Sequence, residues 1–71
     1  MGILEELADG LARDALELEV DEDDPLVNDI GKVIGASSQT LEEAYLTSIR
    51  VRRAEKRARE LIVARQRQNG G

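Results

Sequence analysis

Apolar residues recur at helical spacing in three stretches of the chain. From Ile3 to about Leu18, the residues Leu4, Leu7, Leu11, Ala15 and Leu18 return at steps of three and four, which stacks them on one face. Glu5, Glu6, Asp9 and Asp14 fall mostly elsewhere, and acids near the start suit the helix dipole. Gly10 is the weak point of this first helix, costing about 1 kcal/mol relative to Ala. Asp21-Glu22-Asp23-Asp24 then sets four acids side by side at residues 21–24, and Pro25 disfavours a helical Asp24. The segment reads as a solvated acidic turn. Its last two residues also start a helix well, with Asp24 as N-cap and Pro25 in the first position.

A second, short helix follows over about 25–34, where Leu26, Val27, Ile30, Val33 and Ile34 keep the helical period. Gly35 stands where a left-handed residue would end it. Thr40-Leu41-Glu42-Glu43 has the form of a capping box, with Thr40 and Glu43 satisfying reciprocal backbone amides. A long helix is expected from about 41 to 66, free of Gly and Pro and rich in good helix formers. Residues 67–71 are expected to fray. The pattern therefore predicts an all-α single domain over 1–71, a small bundle of two short helices packed along one long C-terminal helix. At 1.5 Å per residue the long helix would run about 40 Å, and the two short ones together roughly match it. Each is expected to cover half.

On the long helix, Leu41, Ala44, Tyr45 and Ser48 share one side, while Val51, Ala58 and Ile62 lie at its edge, so the stripe drifts. Glu55 and Arg59 are placed near the stripe's centre, as an i,i+4 pair that could also set register between chains. Leu46, Ile49 and Leu61 fall off the stripe. Two short covering helices offer no obvious place for all three, so they are the expected interface of a homo-oligomer, a dimer in the simplest case.

Composition strengthens that expectation. The chain has 71 residues, with Tyr45 its only aromatic and neither Cys nor His. Ordering a residue costs roughly 1.5 kcal/mol, and a core this short without aromatic bulk struggles to offset it alone. Disulfides and His/Cys metal sites are unavailable as supports. That leaves self-association or docking onto a partner.

The same absences weigh against catalysis. General acid–base work near neutral pH usually wants His, and Ser37, Ser38 and Ser48 have no activating base of that kind. The acidic turn fails as a calcium loop, because counting from Asp21 puts Leu26 where the invariant Gly belongs and Lys32 where the bidentate Glu belongs. Gly31-Lys32-Val33-Ile34-Gly35 lacks the order of a phosphate loop; Gly31 is expected to permit a close helix crossing instead. Neither a cofactor nor a metal is expected.

Charge is divided by sign. Residues 1–45 carry 13 acidic and 2 basic side chains, and residues 46–71 carry 2 acidic and 8 basic, within a net charge of −5. Arg50, Arg53 and Arg57 stack at i, i+3 and i+7 as a cationic ridge, with Lys56 beside them. Asp21, Asp23 and Asp24 are the acidic residues expected to contact a partner, as they would in an inhibitor that mimics nucleic acid. Such a division implies attraction between the halves, within or between chains, or an oppositely charged partner. No run approaches the roughly 18 apolar residues of a membrane span, and the acidic start lacks a secretory or myristoylation signal. The expected protein is cytoplasmic and non-enzymatic: an oligomeric adaptor, assembly factor or regulator that binds another protein through its charge-segregated helices. A nucleic-acid-binding dimer using the Arg-rich helix is the alternative, as is an acidic inhibitor that mimics nucleic acid.

Overall fold

The computed structural model describes residues 2–70 and is all-helical: α1 (Ile3–Leu18), α2 (Leu26–Ser37) and α3 (Gln39–Gly70), packed on one another. Gly71, the last residue of the expected frayed tail, lies outside the described residues.

The core is small and assembled from the middle of each element. Tyr45 is fully buried, surrounded by Ala8, Ala12, Ala15, Val27 and Ile49, with Leu16, Ile30, Ile34, Leu41, Ala44 and Leu46 packed around them. The Tyr45 hydroxyl donates to the Val27 carbonyl at 2.8 Å, so the one polar atom of this side chain has a partner. Leu46 and Ile49 are thus placed within a single chain. Ile49 is 3% exposed, which corrects its assignment to an interface between chains, and Leu46 is half-buried against the same core. Only Leu61 of that trio stays in solvent, at 70% exposure.

α1 departs most from expectation. Its buried face is Ala8, Ala12 and Ala15, while Leu7, Leu11 and Leu18 point outward. The alanines lie roughly 100° around the helix from the leucine stripe. Asp9 and Glu19 sit on the alanine side and bond to Arg52 and Arg53 of α3, so the ion pairs and the alanine face select the same rotation. Small side chains also let the two backbones approach closely.

The acidic turn is built from carboxylates bonded to backbone. Asp21 Oδ1 accepts the Asp23 N–H at 2.9 Å, and Asp24 accepts from Val20 at 2.9 Å and from Leu26 at 3.0 Å. Asp24 therefore starts α2. That helix does not stop at Gly35, however: no described glycine has a positive φ, and α2 runs on to Ser37. Ser38 ends it in an extended conformation, donating its N–H to Ile34 O, and begins α3 by accepting the Leu41 N–H on its hydroxyl at 3.1 Å. One residue does both jobs, so the expected cap at Thr40 moves two positions upstream. A further correction concerns Gly31. It is buried, but a Cβ there would meet Tyr45 at 3.6 Å and Leu46 at 3.8 Å, ordinary contact distances. Space does not demand glycine.

Because Ser38 alone separates them, α2 folds back on the first turns of α3. Val27 reaches Tyr45, and Gly35 lies against Glu42. α1 covers the next stretch, with Asp9 on Arg52 and Glu19 on Arg53. The last tie is Arg57 to Glu22 at 2.6 Å. The two short helices therefore crowd the first half of α3 instead of dividing its length. α3 itself continues to Gly70 without the expected end near Gln66, and every described residue from Ala54 onward is exposed. The result is 51 Å long and only 14 Å thick.

Candidate interaction surfaces

Three arginines of α3 bind acids of the preceding elements. Arg52 forms a two-pronged bond to Asp9, Nε and Nη2 each at 2.7 Å. Arg53 donates to Glu19 at 2.9 Å, the most enclosed of the pairs, and stands 3.7 Å from Glu22. Arg57 holds Glu22 from the other side. The Arg52 guanidinium keeps the Asp9 carboxyl below the usual carboxylate range, and the same bond raises Arg52. Asp24 is lowered for a different reason, the backbone N–H groups of Val20 and Leu26 that it accepts. Burial raises the Tyr45 phenol.

The cationic ridge is therefore divided. Arg53 and Arg57 turn toward Glu19 and Glu22, whereas Arg50 and Lys56 are exposed and form no ion pair among the described residues. The acids that meet the ridge are not Asp21, Asp23 and Asp24. Asp21 and Asp24 bond backbone within their own turn, and Asp23 is exposed there. Glu19 and Glu22 lie just past the end of α1, where no helical spacing marks them as partners of Arg53 and Arg57. Nothing in the sequence marked Asp9 as the partner of Arg52. The Glu55–Arg59 pair forms at 3.1 Å, but on the exposed side of α3 and not at the centre of its buried stripe.

Two apolar surfaces are left uncovered. One is the α1 face carrying Ile3, Leu7, Leu11 and Leu18, with exposed Glu6, Asp14 and Glu17 beside it. The other is the outer side of α3, where Val51, Leu61 and Ile62 are 62%, 70% and 48% exposed. The chain exposes 5461 Å², against roughly 4,400 Å² for a compact monomer of its 7.8 kDa mass. Its radius of gyration is 14.8 Å, where a compact domain of this length has about 11 Å. Among the described residues no helix is long and apolar enough to cross a membrane. No protein-family model matches the chain, and no curated protein or solved structure matches it either.

Proposed function

We propose that the chain is a non-enzymatic, cytoplasmic protein-interaction module, a homo-oligomeric adaptor, assembly factor or regulator. It binds another protein through the outward faces of its charge-segregated helices. The observation that carries this reading is the rotation of α1, which buries alanines and leaves Ile3, Leu7, Leu11 and Leu18 in water. Four large aliphatic side chains on one helix face, rimmed by Glu6, Glu17 and an Asp14 paired with Arg13, are complementary to an apolar groove with a mainly basic rim. That is the helix-in-groove mode of recognition.

The competing readings have less support. Two of the three ridge arginines are already engaged by glutamates, which leaves fewer cations for phosphates. Asp24 is engaged as a cap, which leaves less of the turn free to mimic nucleic acid.

The test is affinity capture of the tagged chain from its native lysate, with and without nuclease, read by mass spectrometry. A stoichiometric, nuclease-resistant protein that is lost with the L7E/L11E double variant is the expected result. Material released by nuclease would move the assignment to nucleic acid, and a partner indifferent to L7E/L11E would rule out the α1 face.

A further inference from the structure

The outer side of α3 carries a second pattern, independent of α1. Thr47, Val51, Ala54, Ala58 and Leu61 follow one another at steps of four, three, four and three, and all five are exposed. That is the alternation of a and d positions in a heptad repeat, and it lies on the side of the helix turned away from Tyr45 and Ile49. Small residues at the centre, Ala54 and Ala58, let a second helix approach closely, while Val51 and Leu61 supply apolar bulk on either side.

From these positions we infer that α3 is the seam of a parallel two-stranded coiled coil whose occupant is a second copy of this chain. The inference rests on the interaction-module reading and names one of its partners. Charge decides both the occupant and its direction. Arg50 and Glu55 flank the seam at g and e, the two positions that meet between parallel strands one heptad apart. Arg50 has no ion pair within the chain, among the described residues. In a parallel dimer it faces Glu55 of the second copy, and symmetry repeats the pair. An antiparallel partner would set g against g and e against e, bringing Arg57 beside Arg57 and Glu55 beside Glu55.

Length agrees. Past Arg57 every described residue of α3 is exposed and, among the described residues, no ion pair ties it to another element; an isolated helix of this remaining length is marginal in water. A parallel partner places the two free ends side by side, each covering the other. A standard stable interface takes about 800 Å² from each partner. The chain exposes roughly 1,100 Å² more than a compact monomer of its mass, spread over the α1 face and the protruding α3 together.

Sedimentation equilibrium of the full chain, over about 1 to 100 µM, should show a species of twice the 7.8 kDa mass that dissociates on dilution. A58E/L61E places two charges in the seam and should weaken association by at least ~100-fold. Both residues are exposed within the chain, so its circular dichroism should keep the helical signature. L7E/L11E, on α1, should leave the dimer intact. The chain has no cysteine, so a single Q68C substitution, on the continuation of the seam, reports direction by forming a disulfide between parallel copies under mild oxidation. A chain that stays monomeric, or a dimer that survives A58E/L61E, overturns the seam. A dimer that resists Q68C cross-linking overturns its parallel sense. A monomer that still captures a protein through α1 would remove this inference and leave the interaction module standing.

Discussion

Replacing Gly31 by alanine should stabilise the protein, although the glycine is buried at the crossing of α2 and α3. Its backbone is right-handed helical, so alanine meets no conformational penalty, and in a helix interior alanine is favoured by about 1 kcal/mol. The added methyl would stand 3.6 Å from Tyr45 Cε2 and 3.8 Å from Leu46 Cδ2, within contact but not in collision. Burying it adds up to ~0.8 kcal/mol. The expected gain is roughly 1.5 kcal/mol, or 4–8 °C in melting temperature per kcal/mol for a domain this small.

Two other glycines calibrate that figure. Gly10 of α1 has nothing within 4 Å of its would-be Cβ, so G10A gains the helical term alone, about 1 kcal/mol. At Gly35 the Cβ would stand 2.6 Å from a Glu42 carboxylate oxygen, so G35A must first displace that side chain and gains less. The prediction is an order: G31A above G10A above G35A. Urea melts followed by circular dichroism at one fixed protein concentration measure it. If G31A gains less than G10A, or loses stability, the contact at Tyr45 is tighter than its distances imply and glycine is required after all.

Other consequences are smaller in scope. Y45F removes the bond to the Val27 carbonyl and should cost about 1 kcal/mol in a urea melt without changing helix content. The Tyr45 phenol is raised by burial, so the fold keeps it neutral. That contribution is complete below the ordinary value of 10.0 and is lost as pH rises through the raised one, and Y45F should flatten this alkaline limb. Asp9 and Asp24 are lowered from the ordinary 3.8, so their contribution is present above that value and disappears as pH falls below it. D24A should shrink the acid-induced loss, read as the melting temperature between neutral pH and pH 3. Melting temperature should also rise with protein concentration, because association stabilises only the folded chain. A concentration-independent midpoint would contradict self-association.

Element type and order were legible because each helix has a period and the second and third also have start signals. The acidic turn ahead of Pro25 and the polar run before Leu41 marked the breaks between helices, within a few residues. What could not be read was rotation. Period alone gives α1 two candidate inner faces, an alanine stripe and a leucine stripe, and hydrophobicity favours the leucines. The face that is buried is the one whose rotation also brings Asp9 and Glu19 to Arg52 and Arg53, 43 and 34 residues away. Likewise, lengths suggested that two short helices would tile a long one. The one-residue link at Ser38 instead folds α2 onto the start of α3, and the glutamates of the turn pull α1 in beside it. Attraction between the acidic and basic halves was one of the readings the charge division left open, and the structure brings Asp9, Glu19 and Glu22 to Arg52, Arg53 and Arg57. The individual partners were not legible, since Asp21 and Asp24 serve the backbone while Glu19 and Glu22 serve the arginines.

The rotation of α1 has a thermodynamic meaning for the whole chain. An alanine at the interface buries little area, so α1 contributes less to the core than its four outward aliphatic side chains would. Exposed ion pairs do not make up the difference, because pairs such as Arg57–Glu22 are accessible to solvent and contribute at most about 1 kcal/mol each. On the proposed reading, the aliphatic groups that α1 and the outer side of α3 leave in solvent are stabilised by contacts with other molecules. Each outward face then acts twice: covering it completes the burial missing from the core, and the face covered determines which molecule does so. α1 and α3 present these faces on different sides, with different charges at their rims, so one can be filled by a second copy while the other stays open to a different protein.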